Sequence, residues 1–164
     1  MITAICPGSF DPVTVGHVDI ITRAAAMFDH VVVAVMHNLD KHHSFTAQER
    51  IELLKRAIDL PNVEIEAFGG LLAEYARQKG ATVLVKGLRA VSDFEYEFQM
   101  ALINKKLNPD LETVFLTTRS ENMYLSSSIV KQVATLGGDI SGFVPANLIG
   151  DIQQRFYQKE ADQL

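Results

Sequence analysis

Short apolar runs and amphipathic stretches alternate along this chain almost without a break. Runs rich in β-branched residues occupy Ile2–Ile5, Val31–Met36, Val63–Ala67, Val83–Lys86 and Thr113–Leu116. Most lack a clean apolar–polar alternation, as expected of parallel strands covered on both faces. Helical spacing fills the intervals at His17–Phe28, Ala47–Leu60, Leu71–Lys79 and Asp93–Leu107. Thr46-Ala47-Gln48-Glu49 and Ser92-Asp93-Phe94-Glu95 read as capping boxes, and Gly80 stands where a C′ glycine ends a helix. This order predicts an α/β fold: a single-domain, Rossmann-like, doubly wound five-stranded parallel sheet with helices on both faces. Beyond the fifth strand the pattern turns helical. Ser126-Ser127-Ser128 opens a helix to about Leu136, Gly137-Gly138 follows, and Phe143-Val144-Pro145 makes a turn. Asn147 is expected to cap a last amphipathic helix ending near Lys159. Residues 1–160 are expected to form one domain with this C-terminal helical extension, and residues 161–164 a polar tail.

In an open parallel sheet, ligands bind beyond the carboxyl ends of the strands. That rule gathers the segments Gly8–His17, His37–Phe45, Phe68–Leu72, Gly87–Ser92 and Thr117–Ser128 at one end of the sheet. Most of the unusual residues of the chain fall in them.

Composition narrows the possibilities. With 164 residues the chain is long enough for one substantial core. A net charge of −5 disfavours a general nucleic-acid or anionic-membrane partner. The single cysteine, Cys6, excludes an intrachain disulfide and a cysteine-cluster metal site. The first residues show neither a basic region nor a long apolar run, and no segment approaches a membrane span, so a cytoplasmic enzyme or binding domain is expected.

Against this acidic background the chemistry stands out. After the first strand comes Pro7-Gly8-Ser9-Phe10-Asp11-Pro12, followed by a helix start with Thr14-x-Gly16-His17. Glycine permits close backbone approach, and free N–H groups at a helix start suit a phosphate. Neither GxGxxG nor GxxxxGK[ST] is present, so the loop is neither a dinucleotide fingerprint nor a P-loop. Lys86-Gly87-Leu88-Arg89 puts two cations around a glycine at a strand end, a suitable phosphate cradle, and Lys41 maps to the same face. The triple serine offers a second anion site, although one hydroxyl must cap its helix in any case. A nucleophilic serine is disfavoured because no G-x-S-x-G elbow is present, and Lys131 on that helix reads as a surface charge. Asp93 and Glu97 share a helix face; they can orient a ribose or a cation, or complement the helix dipole. Adjacent His42 and His43 point in different directions with no carboxylate spaced to complete a metal site, so they read as solvated loop residues, like His30 and His37. No protein-held metal is expected.

The Thr14-x-Gly16-His17 segment is similar to the [T/H]xGH signature of the nucleotidyltransferase superfamily. The loop around it, Phe45-Thr46 with Glu49-Arg50, Gly87-Leu88-Arg89, Asp93 to Glu97 and the triple serine together resemble bacterial phosphopantetheine adenylyltransferases over the whole chain. The resemblance implies transfer of AMP from ATP to 4′-phosphopantetheine, giving dephospho-CoA and pyrophosphate, the penultimate step of coenzyme A synthesis. By position it makes His17, Lys41 and Arg89 the catalytic set, with His17 stabilising the transition state and Lys41 bridging both substrates. It assigns ATP contacts to Ser9, Phe10, His17, Gly87, Leu88, Arg89, Glu97 and the run Asn122, Met123, Tyr124, Leu125, Ser126, Ser127 and Ser128. Contacts to 4′-phosphopantetheine fall to Ser9, Lys41, Leu72, Lys86, Met100 and Asn104. Most members of the family it resembles have arginine in place of Lys86; lysine keeps the charge but loses the bidentate fork, which bears on affinity for this substrate. The resemblance also implies Mg²⁺ held mainly through ATP phosphates and water, feedback inhibition by coenzyme A, and a homohexamer built as a dimer of trimers.

The chemistry is consistent with this set. The nucleophile is a phosphate oxygen, already anionic, so no strong base is needed. The obstacle is charge on the α-phosphate, which positioning and electrostatics relieve. Two other readings stand beside it: a nucleotidyltransferase with another acceptor, and a nucleotide- or coenzyme A-binding regulator without catalysis. The intact His17, Lys41 and Arg89 argue against the second.

Overall fold

Successive residues of the central strands face two different cores, which is the geometric consequence of a pleated strand covered on both sides. The computed structural model of the protein describes residues 1–37 and 42–161. Five strands, β1 (Thr3–Gly8), β2 (His30–Met36), β3 (Val63–Phe68), β4 (Val83–Leu88) and β5 (Glu112–Thr117), form one parallel sheet in the order β3-β2-β1-β4-β5. Between them run α1 (Val15–Met27), α2 (Ala47–Ala57), α3 (Leu72–Gln78) and α4 (Val91–Leu107). Helices α5 (Ser127–Thr135) and α6 (Ile149–Ala161) follow, with short 3₁₀ turns at Ser120–Asn122 and Ala146–Leu148.

The larger core lies on one face, where Ala4, Cys6, Val31, Val33, Val35 and Val85 meet apolar residues of α1, α2, α5 and α6. The smaller core on the other face joins Ile5, Val32, Ala34 and Leu84 to Ala73, Tyr75 and Ala76 of α3. Helix α4 is fastened to α3 by hydrogen bonds from Asn108 Nδ2 to the Ala73 carbonyl (3.1 Å) and from Arg77 to the Leu107 carbonyl (3.0 Å). It buries little else: Asn104 is its single buried residue, while Val91, Phe94, Tyr96, Phe98, Leu102, Ile103 and Leu107 are exposed.

Sheet order creates the cleft. The ladder between β1 and β2 spans six residue pairs, from Thr3–His30 to Gly8–Val35. The ladder between β1 and β4 holds only Ala4–Val83 and Ile5–Leu84. Beyond those pairs β1 and β4 part at their carboxyl ends, the reversal point where open α/β sheets take ligands.

Several boundaries differ from the sequence expectation. Strand β1 continues through Pro7 and Gly8, because there it has a sheet neighbour on one side only, an edge-like setting that tolerates proline. Strand β4 likewise runs on to Leu88. The Ser92–Glu95 capping box does not form: α4 starts at Val91 after Ala90, without a side-chain cap, and Asp93 is engaged by Arg89 instead. Asn147 is not a helix cap. It sits in a 3₁₀ turn, and its side chain donates to the Arg56 carbonyl at 2.9 Å, while Arg56 donates back to the Asn147 carbonyl. The Thr46 capping box and the C′ glycine at Gly80 (φ +63°) both form.

Candidate active site

Where β1 and β4 part, a cavity of about 300 Å³ opens. Its floor is Cys6, Pro7, Gly8, Val85, Lys86 and Gly87; its walls include His17, Arg89, Glu97 and Ser126. Two glycines shape it. A Cβ on Gly87 would stand 3.0 Å from Cγ1 of Ile20, and one on Gly8 would stand 2.9 Å from the Phe10 ring. Small residues here let α1 and the Phe10 ring close directly on the strand ends.

Helix α1 begins with a reciprocal capping box that the sequence pattern does not advertise. The Thr14 hydroxyl accepts the His17 backbone N–H, and the Thr14 backbone N–H donates to Nδ1 of the His17 ring at 3.0 Å. Histidine thus fills the N3 place usually held by Glu or Gln. A backbone N–H can only donate, so Nδ1 is the unprotonated nitrogen and the neutral ring carries its proton on Nε2. Burial, reinforced by the positive charge of Arg89, pushes the His17 pKa down to about 4. The Phe10 ring meets the imidazole edge-on, centroids 5.0 Å apart. His17 is therefore a fixed, neutral hydrogen-bond donor at the cavity wall.

The cations are held in place by partners. Lys86 Nζ lies 3.2 Å from Glu97 across the cavity. Arg89 donates through Nε to Asp93 (3.2 Å) and through a terminal nitrogen to the Leu125 carbonyl (2.8 Å), tying α4 to the segment before α5. Arg23 and Arg119 both pair with Asp19 of α1, and Arg23 also donates to the Thr117 carbonyl, which anchors the 117–122 segment beside the cavity. Burial pushes the Cys6 thiol up to about 12, against the opposing charge of Lys86, so it stays protonated and unreactive.

Of the residues singled out from sequence, the cavity unites Phe10, His17, Lys86, Gly87, Arg89, Glu97, Asn122, Leu125, Ser126 and Ser127. Ser9 and Ser128 line a second hollow that meets the first at Ser127. Leu88, Met123 and Tyr124 border the site without lining it, Tyr124 packing edge-on against Phe143. Leu72, Met100 and Asn104 stand apart from the cavity, on the paired helices α3 and α4. Lys41 lies outside the described residues.

The scaffold beneath the site rests on residues whose roles the sequence did not disclose. Asp11, 3% exposed, accepts the backbone N–H groups of Ser44 (2.8 Å) and Phe45 (2.9 Å) and pairs with Lys131 at 2.7 Å. Burial works to raise its pKa, but Lys131 and the two N–H groups outweigh it and hold the carboxyl below its usual range. Lys131 is thus not a free surface charge. Nor is His43 a solvated loop residue: its side chain is 13% exposed, with Nδ1 3.6 Å from Asp11 and Nε2 buried without a partner among the described residues. Arg50, 1% exposed, donates to the carbonyls of Ser9 (2.7 Å) and Met36 (3.0 Å), so one guanidinium sews together the ends of β1 and β2. Its neighbour Glu49 is paired with Arg155, which lowers the Glu49 pKa to about 2. Arg155 also stacks over Phe45 at 4.5 Å. Phe45-Thr46 and Glu49-Arg50 were the local signal; the long-range partners were not visible in it.

The cytidylyltransferase-like family matches residues 5–133, a span that runs from within β1 through most of α5. A phosphopantetheine adenylyltransferase of Caldanaerobacter subterraneus subsp. tengcongensis is 57% identical over 157 residues, covering 95% of this chain and 98% of that protein. The chain belongs to the phosphopantetheine adenylyltransferase family. A second relative of that name, from Clostridium kluyveri, is 55% identical over 157 residues and covers 95% of this chain and 96% of its own. Among solved structures, the Plasmodium falciparum nicotinic acid mononucleotide adenylyltransferase superposes with a TM-score of 0.67 at 13% identity, covering 96% of this chain and 95% of that one. A bifunctional NMN adenylyltransferase/ADP ribose pyrophosphatase from Francisella tularensis gives a TM-score of 0.68 at 14% identity, covering 97% of this chain and half of its own. These two establish shared fold alone. Among the described residues no helix is long and apolar enough to cross a membrane.

Proposed function

We propose that the chain transfers AMP from ATP to 4′-phosphopantetheine. A phosphate oxygen of the acceptor attacks the α-phosphorus, the bond from that phosphorus to the oxygen bridging to the β-phosphate breaks, and pyrophosphate leaves with the electron pair. Dephospho-CoA is the other product. The observation that carries this reading is the neutral, Nε2-protonated His17 beside Arg89 and Lys86 in one cavity.

No proton has to be removed from a phosphate nucleophile, so the site needs donors and cations rather than a base. His17 supplies a hydrogen bond to the non-bridging oxygens of the α-phosphate, where negative charge grows in the transition state. Because its Nδ1 is already held by Thr14, the ring is preorganised and costs no reorientation during reaction. Arg89 contributes charge to the same phosphate, and Lys86 takes the phosphate of the acceptor after exchanging Glu97 for it. Lys41 is assigned the bridge between substrates. Ser9, Phe10, Gly87, Leu88, Glu97 and residues 122–128 hold the nucleotide; Leu72, Met100 and Asn104, on the α3–α4 pair, take the pantetheine arm outside the cavity.

Magnesium enters with ATP as part of the substrate, neutralising its phosphate charge. Its coordination is assigned to the ATP phosphates and water. Coenzyme A shares its adenylyl and pantetheine parts with the product, so it is assigned as a feedback inhibitor at this site. A cytoplasmic setting goes with a pathway of soluble phosphorylated substrates. Assembly is assigned as a hexamer of two trimers; the row Val91, Phe94, Phe98 and Leu102 on α4, spaced to share one face and left exposed, offers a surface for self-association.

Competing acceptors test the reading. With ATP and an equimolar mixture of 4′-phosphopantetheine, nicotinamide mononucleotide and glycerol 3-phosphate, mass spectrometry should find dephospho-CoA as the adenylylated product. Adenylylation of another acceptor in its place would assign a different member of the superfamily's reactions.

A further inference from the structure

Helix α6 supplies none of the substrate contacts assigned above, yet it grips a segment that walls the site. Arg155 donates through one terminal nitrogen to the Ser44 carbonyl at 2.8 Å and pairs through both terminal nitrogens with Glu49 of α2. Its guanidinium also lies over the Phe45 ring, 4.5 Å from the centroid, and Phe156 meets the same ring edge-on at 6.3 Å. From the opposite side Asp11 accepts the backbone N–H groups of Ser44 and Phe45. Residues 44 and 45 are thus clamped between the β1 loop and the C-terminal helix. The loop takes their donors; the helix takes the Ser44 carbonyl and the Phe45 ring.

We infer that Arg155 is a positioning residue for adenylyl transfer, acting through the 42–45 segment. This rests on the reaction proposed above. His42 and His43 of that segment line the second hollow together with Asp11 and with Ser9, the residue assigned to both substrates. Lys41, assigned to bridge the substrates, stands three positions before Ser44 in the chain. A shift of the Ser44 carbonyl is therefore passed on to groups assigned to the reacting phosphates, and misplacement by about 1 Å can cost on the order of 10²-fold in rate. Arginine suits the task, because its planar fork engages a carboxylate, a carbonyl and an aromatic face at once, which a single ammonium does not. With side chains 32% and 36% exposed, Arg155 and Glu49 form a pair that adds little to global stability. A kinetic effect without a large loss of stability is what separates positioning from scaffolding. The second tie between α2 and α6 supplies the comparison. Arg56 pairs with Asp151 at 2.9 Å and donates to the Asn147 carbonyl at 2.6 Å, joining the same part of the fold. None of its hydrogen bonds among the described residues reaches the 42–45 segment.

Steady-state kinetics and amide exchange on the full chain test this, with wild type, Arg155→Met, Arg155→Lys and Arg56→Met each checked for a native thermal transition. With Mg-ATP and 4′-phosphopantetheine varied in turn, Arg155→Met should lower kcat about tenfold while KM for ATP stays within about twofold. Exchange of the Ser44 and Phe45 amides with solvent should quicken about tenfold in the same variant. Arg155→Lys, which keeps the charge but not the fork, should lie between, with kcat lowered about threefold, and it decides the matter if Arg155→Met does not fold. Arg56→Met should leave kcat and both amides within about twofold of wild type. An unchanged kcat in the folded Arg155 variants would overturn the inference, whether or not the two amides exchange faster. Equal losses of kcat in Arg155→Met and Arg56→Met would overturn it as well, by making attachment of α6 as a whole the cause. Acceptor-dependent turnover of the wild type is read separately. If the wild type yields no dephospho-CoA while exchange at Ser44 and Phe45 still answers to Arg155, the reaction assigned is wrong and the clamp stands; if it turns over and Arg155→Met keeps its kcat, the reaction stands and the inference fails.

Discussion

The backbone N–H of Thr14 donates to Nδ1 of His17 at 3.0 Å, and this one bond decides which face of the imidazole can act. It leaves the proton on Nε2, turns capping of α1 into a device for orienting the ring at the cavity wall, and opposes protonation, since an imidazolium Nδ1–H would confront the Thr14 donor. Local structure and function are here the same interaction.

An NMR titration should accordingly find His17 neutral and Nε2-protonated from pH 8 down to the neighbourhood of its lowered pKa of about 4. A midpoint near the ordinary value of about 6.5 would contradict this placement. The lowered pKa has a stability consequence with a definite sign. Between about 6.5 and 4 the unfolded chain binds more protons at this site than the folded one, so stability contributed by His17 falls as pH falls through that window and is fully present above it. A His17→Gln variant should lack this component of the acid dependence.

Arg50 is a buried cation whose partners are carbonyls of Ser9 and Met36. Its replacement by alanine empties a buried position and removes the charged donor shared by both carbonyls, and should cost about 3 kcal/mol in chemical denaturation. Arg50→Lys should recover part of that stability but not the double contact, and a loss below about 0.5 kcal/mol for Arg50→Ala would show that the strand ends do not depend on it.

Gly87→Ala places a methyl group 3.0 Å from Ile20 at the edge of the nucleotide cavity. Overpacking of this kind should lower stability by about 1–2 kcal/mol and raise KM for ATP more than KM for 4′-phosphopantetheine. Steady-state kinetics with each substrate varied in turn checks the asymmetry.

Phe98→Glu and Leu102→Glu, on the exposed apolar row of α4, should leave the monomer fold intact while shifting size-exclusion light scattering from the proposed hexamer to smaller species. An unchanged mass for both variants would remove α4 from the subunit contacts.

The sheet was legible because each buried strand is a β-branched run and each crossover is a helix with its own period. Motif residues Gly8, His17, Gly87 and Arg89 were legible because chemistry at strand ends uses few residue types. What escaped the sequence depends on distance along the chain. Asp11 meets Ser44 and Lys131 across 33 and 120 positions, and Arg50 meets Ser9 across 41; no local pattern marks such partners. Lys131 and His43 looked like solvated charges because burial comes from packing of α5 against the β1 loop. The ends of β1 and β4 were misplaced for a related reason: glycine and proline usually end strands, but here the cleft between these strands accommodates them. Asn147 looked like a cap until Arg56 supplied a tertiary partner.

The central claim is that His17, fixed by Thr14, stabilises adenylyl transfer to 4′-phosphopantetheine. Pyrophosphate release from Mg-ATP, with and without 4′-phosphopantetheine, on wild type and on folded His17→Ala tests it most directly. Release should require the acceptor, and kcat should fall on the order of 10²–10³-fold in the variant. Release without the acceptor, or a kcat unchanged by loss of the imidazole, would contradict the account.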